Sequence, residues 1–177
     1  MTSRSIFLFI FLACAALMAF GFYLQYAQGL EPCVLCMVQR LFFMLLGLTA
    51  LIAFLQNPAR TGTRIYAFLT ALFSACGAGI AGRQIWLQHL PPDKVPECGP
   101  DLFFMLETYP LTEALMTALK GTGDCAEVVW TFLGGSIPQW AIVVFIGIFI
   151  LSVIILINPG VAMLKRLGRG GKRKHDH

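Results

Sequence analysis

Four of the six cysteines of this chain lie outside its long apolar runs, where they are placed to exchange electrons. Cys33 and Cys36 form a Cys-x-x-Cys motif directly before one such run. Residues three apart share a face of a helix, so the two sulfurs lie close enough to pair. A disulfide that closes so short a loop gains little from chain entropy. The motif therefore favours a reversible redox pair over a structural staple.

The place of the motif at the start of a predicted helix also favours a reactive thiolate. Pro32 suits the first turn of a helix, and the positive end of the helix dipole lowers the pKa of a cysteine there. Zinc sites use the same Cys-x-x-Cys spacing, but they normally need a second close pair. Cys98 and Cys125 are far apart in the sequence. We therefore favour redox chemistry over metal binding and predict no metal site.

Arg40 follows Cys36 by four residues, so both lie on one face of the predicted helix. A charged residue just inside the membrane boundary marks a functional site or extends its charge to the interface. Its guanidinium is suited to stabilise a Cys36 thiolate and to donate hydrogen bonds to an acceptor carbonyl. The register with Cys36 favours the functional interpretation.

Cys98 and Cys125 form a second candidate pair in a long polar segment. They could instead form a structural disulfide. Structural disulfides typically have potentials below about −300 mV, too low to oxidise a strongly oxidising partner. A working pair must therefore be exposed and unusually oxidising.

The elements that position these cysteines are predicted to be membrane-spanning helices. Hydrophobic residues make up 58% of the 177 residues and charged residues only 12%, which indicates a membrane protein. Four apolar runs, at 6–24, 38–55, 65–87 and 140–157, are each about long enough to cross a bilayer as a helix. We predict an all-α membrane protein, a four-transmembrane-helix bundle, as one domain over 1–164. Cys14 and Cys76 fall inside spans and are expected to be packing or lipid-facing residues.

The basic residues predict the orientation of the bundle. Arg4, Arg60 and Arg64 and a basic tail over 165–177 lie on one side of the predicted spans. By the positive-inside rule these segments and both termini face the cytoplasm of a bacterial inner membrane. The loops at about 25–36 and 88–139, which contain the four candidate cysteines, then face the periplasm, where disulfides persist. We interpret the tail as a topology anchor beside anionic lipid and predict no nucleic-acid binding.

The long periplasmic loop is predicted to carry a short interfacial helix. Apolar residues recur at helical spacing between 102 and 119, which is typical of a helix lying in the headgroup region. Trp130 and Trp140 are expected at the same depth as interfacial anchors. This arrangement would hold Cys98 and Cys125 near the Cys-x-x-Cys motif.

Two other signals are set aside. Residues 77–82 match the Gly-x-Gly-x-x-Gly dinucleotide motif but lie inside an apolar run, so they more plausibly permit close helix packing. The first run resembles a signal peptide only in part, since it lacks a polar region with a cleavage site, and we retain it as a span.

Taken together, these features resemble the disulfide bond formation protein B (DsbB) family. The resemblance covers nearly the whole chain up to about Leu164. It rests on Leu30–Cys36 followed by Gln39 and Arg40, on Cys98, on Gly123–Glu127 around Cys125, and on Pro138-Gln139-Trp140.

The resemblance implies an electron path and a set of partners. Cys98 would be attacked by a reduced periplasmic thioredoxin-fold dithiol oxidase, a DsbA-like partner, and Cys125 would then exchange with Cys33. Cys36 would be freed as a thiolate beside a bound quinone, either ubiquinone or menaquinone, whose oxygen Arg40 would hold. The membrane quinone pool would receive the electrons, so the implied activity is that of a quinone-dependent thiol:disulfide oxidoreductase.

The sequence departs from the family at one position. Some members place a histidine near the end of the third span, where this chain has Gln84. A glutamine can hydrogen-bond a quinone oxygen but cannot titrate near neutrality. We therefore expect Gln84 to bind the cofactor, consider Arg83 a possible second cation, and assign no role to His89.

Alternative functions remain open at this point. A vitamin K epoxide reductase-like enzyme also sets four helices and a Cys-x-x-Cys motif against a quinone, although its motif would be expected near the end of the bundle. A non-enzymatic membrane scaffold with two structural disulfides would resist mild reductant and bind no quinone. A metal carrier would co-purify with zinc or copper.

Overall fold

The structure is a computed structural model, and it describes residues 3–95, 110, 112, 116, 119, 121–128 and 130–158. Within these residues four helices are long and apolar enough to cross a membrane. They are α1 (Ser3–Ala27), α2 (Val34–Gln56), α3 (Arg60–Gln88) and α4 (Ile137–Ile157). Each helix begins before the predicted span, because helical hydrogen bonding continues through polar residues that an apolar count leaves out. The predicted all-α membrane bundle is confirmed.

Short connections determine how the first three helices are arranged. Asn57 ends α2 in the left-handed conformation, with φ 42°, and its N–H bonds to the carbonyl of Ala53. Asparagine is one of the few residues that adopts this conformation readily. Only residues 57–59 separate α2 from α3, so the two helices are antiparallel neighbours.

The core lies along the middle of the bundle, where α1 packs on α2, α2 on α3 and α3 on α4. Phe43 of α2 and Phe145 of α4 stack with their ring centroids 4.1 Å apart. Gly77 of α3 permits this approach, because a Cβ at that position would overlap the Phe145 ring. Gly77 thus serves helix packing, as predicted for residues 77–82, whereas a Cβ on Gly79 would meet open space and one on Gly82 would make only an ordinary contact with Ile142. Cys14 is buried against this core and Cys76 is exposed.

A small β-hairpin precedes α4 and was not predicted. Strands β1 (Thr131–Phe132) and β2 (Gly135–Ser136) pair in antiparallel register, Thr131 with Ser136. Leu133 and Gly134 form the turn with φ of 50° and 80°. Positive φ at both central residues matches the twist of a two-residue hairpin, but leucine is a rare choice there. The sequence therefore lacks the usual signal for this turn.

Two short 3₁₀ turns, Pro92–Lys94 and Gly123–Cys125, lie in the segment between α3 and α4. Cys98, almost all of the predicted interfacial segment over 102–119, and the basic tail lie outside the described residues. The end of the bundle at which α2 and α4 begin contains Cys33, Cys36 and Cys125, and we call it the thiol end. Arg60 and Arg64 lie at the opposite end of α3.

Candidate redox site

The Cys-x-x-Cys motif forms the N-terminus of α2. Cys33 is the N-cap in an extended conformation, and its sulfur accepts a hydrogen bond from the N–H of Cys36 at 3.4 Å. Cys36 lies in the first helical turn, and the two sulfurs are 2.7 Å apart. Both are free thiols. The predicted closeness of the two sulfurs on one helix face is confirmed.

Cys125 joins this pair from the loop between α3 and α4. It ends the Gly123–Cys125 turn and is fully buried, in a cluster with Leu35 and Leu87, so the expected exposure of the second cysteine pair is wrong for Cys125. Its sulfur is hydrogen-bonded to the Cys33 thiol and accepts the backbone N–H of Leu35. The first turn of α2 therefore donates backbone N–H groups to two sulfurs. The sulfur of Cys33, its N-cap residue, accepts from Cys36, and the sulfur of Cys125, from the loop, accepts from Leu35.

These contacts separate the protonation states of the two loop cysteines. The hydrogen bond from Cys33, aided by the N–H groups of Leu35 and Thr122, lowers the pKa of Cys125 to about 6, although burial acts in the opposite direction. The same bond, together with the contact to Cys36 and burial, raises the pKa of Cys33. These contacts therefore favour the protonated form of Cys33 and the ionised form of Cys125.

Two buried glutamines lie beside the Cys-x-x-Cys sulfurs. Gln84 of α3 is 3% exposed, and its Nε2 lies 3.2 Å from the sulfurs of both Cys33 and Cys36. Its Oε1 accepts a hydrogen bond of 2.7 Å from Nε2 of Gln39, which is 4% exposed. The structure thus places the amide of Gln84 on the sulfurs, although the sequence predicted only a contact with a cofactor oxygen.

Arg40 is held by α1. Its Nη1 donates to Oε1 of Gln25 at 2.5 Å and its Nη2 to the carbonyl of Gly21 at 3.0 Å. The guanidinium also lies 5.5 Å from the centre of the Phe22 ring. Among the described residues these hydrogen bonds lead to α1 and not to Cys36. The predicted contact with the Cys36 thiolate is therefore not part of this structure.

A cavity of about 1050 Å³ opens beside these groups between α1, α2, α4 and the hairpin. Cys33, Cys36, Gln39, Arg40 and Gln84 all line it. Its remaining walls are largely apolar and include Leu17, Met18, Phe43, Ala141 and Val144. Such a cavity, mostly apolar with a few convergent polar groups, has the character of a small-molecule site.

An aromatic cluster borders the cavity at the thiol end. Trp130 stacks on Phe132 and meets Phe20 edge-on, with centroids 5.9 and 5.5 Å apart. Trp140 donates its indole N–H to the carbonyl of Phe132 at 3.0 Å. The two tryptophans predicted as interfacial anchors therefore lie at one level and connect the hairpin to α1 and α4.

Sequence reasoning assigned no role to two residues of the site. Gln39 is three residues after Cys36, and the same spacing rule that identified Arg40 could have identified it. Gln25 has no such signal, because only the packing of α1 on α2 brings it to Arg40. His89, to which no role was assigned, is exposed and bonds to the carbonyl of Ile85.

Fold and site together define a multi-pass membrane protein with a thiol–disulfide redox site. The family model "Disulfide bond formation protein DsbB" matches residues 3–155. Disulfide bond formation protein B of Hahella chejuensis is 57% identical over 147 residues, which is 83% of this chain and 89% of that relative. The protein of the same name from Marinobacter nauticus is 52% identical over 158 residues, 89% of this chain and 94% of the relative.

The chain belongs to the disulfide bond formation protein B family, as its resemblance indicated. It is therefore a disulfide-forming oxidoreductase of the membrane. Membership of this family favours that function over a vitamin K epoxide reductase-like enzyme, a disulfide-stapled scaffold or a metal carrier.

Proposed function

We propose that this protein reoxidises a periplasmic thioredoxin-fold dithiol oxidase, a DsbA-like partner, and passes the electrons to membrane quinone. One observation supports this proposal above all others. The sulfurs of Cys125, Cys33 and Cys36 are in contact, and the Cys-x-x-Cys end of this series lines an apolar cavity that also contains Arg40.

The first step is a disulfide exchange at Cys98. A partner thiolate attacks the Cys98 sulfur, the Cys98–Cys125 bond breaks, and Cys125 leaves as a thiolate. A leaving thiolate of low pKa accelerates this exchange. Cys33 is oxidised at this stage and has no proton to donate, so the backbone N–H groups of Leu35 and Thr122 are the contacts that stabilise the leaving Cys125 thiolate.

The second step transfers the electrons to the motif. The Cys125 thiolate attacks Cys33 of the Cys33–Cys36 disulfide, forms a Cys33–Cys125 bond and releases Cys36 as a thiolate. Its sulfur already contacts that of Cys33, so the attack needs little movement.

Resolution returns the periplasmic pair to its oxidised form. The partner's second thiol attacks its bond to Cys98, so the partner leaves as a disulfide and Cys98 becomes a thiolate. Cys98 then attacks Cys125 of the Cys33–Cys125 bond, which restores Cys98–Cys125. Two electrons from the partner now reside on the Cys33–Cys36 dithiol, which gives them up with two protons as its own disulfide closes.

The residues of the cavity fit a quinone. Arg40 provides a cationic donor for a ring oxygen, Leu17, Phe43 and Val144 provide apolar walls, and Cys36 brings the reactive sulfur to the same cavity. When bound, a quinone supplies the two-electron, two-proton acceptor that closure of the Cys33–Cys36 disulfide requires. The protein binds and orients this acceptor and limits access of water to the sulfur.

The charge distribution supports an inner-membrane orientation with both termini in the cytoplasm. Arg4, Arg60 and Arg64 lie at the end of the bundle opposite the thiol end. By the positive-inside rule the thiol end would then face the periplasm, where an oxidised partner is needed.

The test is a turnover assay with full-length protein in detergent, a reduced thioredoxin-fold dithiol partner, and ubiquinone or menaquinone followed by absorbance. We expect Cys98→Ala to abolish partner oxidation while quinone stays bound. Cys36→Ala should abolish quinone reduction but still permit a trapped partner adduct. If both variants oxidise the partner at the rate of the unmodified protein, the cysteine relay is wrong.

A further inference from the structure

The amide of Gln84 contacts the reacting sulfurs directly. Its Nε2 lies 3.2 Å from Cys36 and 3.2 Å from Cys33, within hydrogen-bond range for sulfur. The Cys36 sulfur also lies 3.6 Å from Oε1 of the same amide. Gln84 can therefore donate to a thiolate and accept from a thiol, so it serves Cys36 in both protonation states.

Gln39 determines which end of this amide faces the sulfurs. It donates from Nε2 to Oε1 of Gln84 at 2.7 Å, which leaves the amino group of Gln84 directed at Cys33 and Cys36. Two amides buried in an apolar bundle are costly unless they are hydrogen-bonded, and here the Nε2 of Gln39 and the Oε1 of Gln84 satisfy each other. The pair spans α2 and α3, so the packing of these helices fixes its position.

We propose that Gln84 is a catalytic residue that stabilises the Cys36 thiolate, and that Gln39 is a positioning residue that orients its amide. This inference deepens the proposed function and rests on it, since Cys36 must act as a thiolate for the role to matter. The inference assigns the hydrogen bond of Gln84 to the Cys36 sulfur, whereas the sequence indicated a hydrogen bond to a quinone oxygen.

A neutral amide suits this task better than a charged donor. An amide N–H is present at every pH, whereas an imidazole donates with both nitrogens only when protonated. A cation buried at this depth would also carry a desolvation cost. Arg40, the nearby cation on α2, donates to Gln25 and Gly21 of α1. Among the described residues Gln84 is thus the side-chain amide that donates to Cys36.

The experiment measures the alkylation of Cys36 by iodoacetamide in reduced, full-length protein in detergent. A Cys33→Ala background leaves Cys36 as the only thiol of the motif, and mass spectrometry of its peptide gives the rate. We expect Gln84→Leu to slow alkylation about tenfold at pH 7, because a hydrogen bond to a charged group is lost. The rates should converge at about pH 11, where the thiol is ionised in both proteins.

Further variants test orientation and control for folding. Gln84→Asn keeps the amide but withdraws it by one methylene, and Gln39→Leu keeps Gln84 but removes its partner. Both should slow alkylation at pH 7 by about threefold or more and converge at high pH. Gln56→Leu removes an amide at the other end of α2, where it bonds to Tyr66, and should leave the rate unchanged.

Two results would overturn the inference. One is an unchanged rate at pH 7 in Gln84→Leu and Gln84→Asn. The other is an equal slowing at every pH, which would indicate altered access to Cys36 and a structural role only. Alkylation needs neither partner nor quinone. A failed turnover assay with the expected alkylation pattern would therefore reject the proposed function and leave the role of Gln84 at Cys36 intact.

Discussion

The thiol of Cys33 is hydrogen-bonded to the sulfur of Cys125 as well as to that of Cys36, and the contact with Cys125 joins the loop between α3 and α4 to the start of α2. It brings together two cysteines that are distant in the sequence. It also assigns them opposite protonation states, because a bond that stabilises one thiolate withholds the proton on its neighbour.

The pH dependence of Cys125 follows from this contact. Hydrogen bonds from Cys33 and the backbone lower its pKa to about 6, so its thiolate is present above that pH and is lost as the pH falls through 6. We expect a thiolate absorbance at about 240 nm that titrates near pH 6 in the reduced protein. The signal is obtained as the difference between the unmodified protein and Cys125→Ser.

Substitution of Cys33 tests whether its hydrogen bond lowers the pKa of Cys125. Cys33→Ala deletes the first cause of the lowered pKa, so the midpoint should move upward, toward the ordinary cysteine value. A midpoint near 9 in the protein with Cys33 intact would contradict the assignment of the charge to Cys125.

Gln25 is expected to control the use of quinone through Arg40. Gln25→Leu removes the acceptor that holds Nη1 of the guanidinium, so Arg40 keeps only its bond to the Gly21 carbonyl and is less firmly oriented at the cavity. We predict that the KM for quinone rises by about threefold to tenfold, the equivalent of one ordinary hydrogen bond. The rate of partner adduct formation, which we propose to depend on Cys98, should not change.

Gln28→Leu is the control for this variant. It removes an exposed amide near the end of α1 that makes no side-chain contact with Arg40 in the described residues. The hypothesis for Gln25 fails if both variants shift the KM equally, or if neither does.

Gly77 and Gly79 form a matched pair on α3. A Cβ on Gly77 would overlap the Phe145 ring, whereas a Cβ on Gly79 would meet open space. We expect Gly77→Ala to lower the free energy of unfolding by about 1–3 kcal/mol through overpacking. Gly79→Ala should raise it by about 0.5–1 kcal/mol through helix propensity. Thermal unfolding in detergent, followed by circular dichroism, measures both, and equal midpoints would contradict the packing at Gly77.

The sequence by itself determined the four helices and the closeness of the Cys33 and Cys36 sulfurs. Long apolar runs can satisfy their backbone in lipid only as helices, and a spacing of three residues places two side chains on one face. These are local properties of the chain. For the same reason Arg40 could be recognised from its register, although not its hydrogen bonds to α1.

Only the tertiary structure decided which groups meet at the thiol end. Cys125, Gln84 and Gln25 come from a loop, from α3 and from α1, and no periodicity relates them to the motif. The hairpin with Leu133 at positive φ also escaped prediction, because its turn uses a residue that rarely adopts that conformation. Contacts between elements depend on how the helices pack. The sequence therefore identified the reactive cysteines, but only the packing determined which hydrogen-bond donor contacts which sulfur.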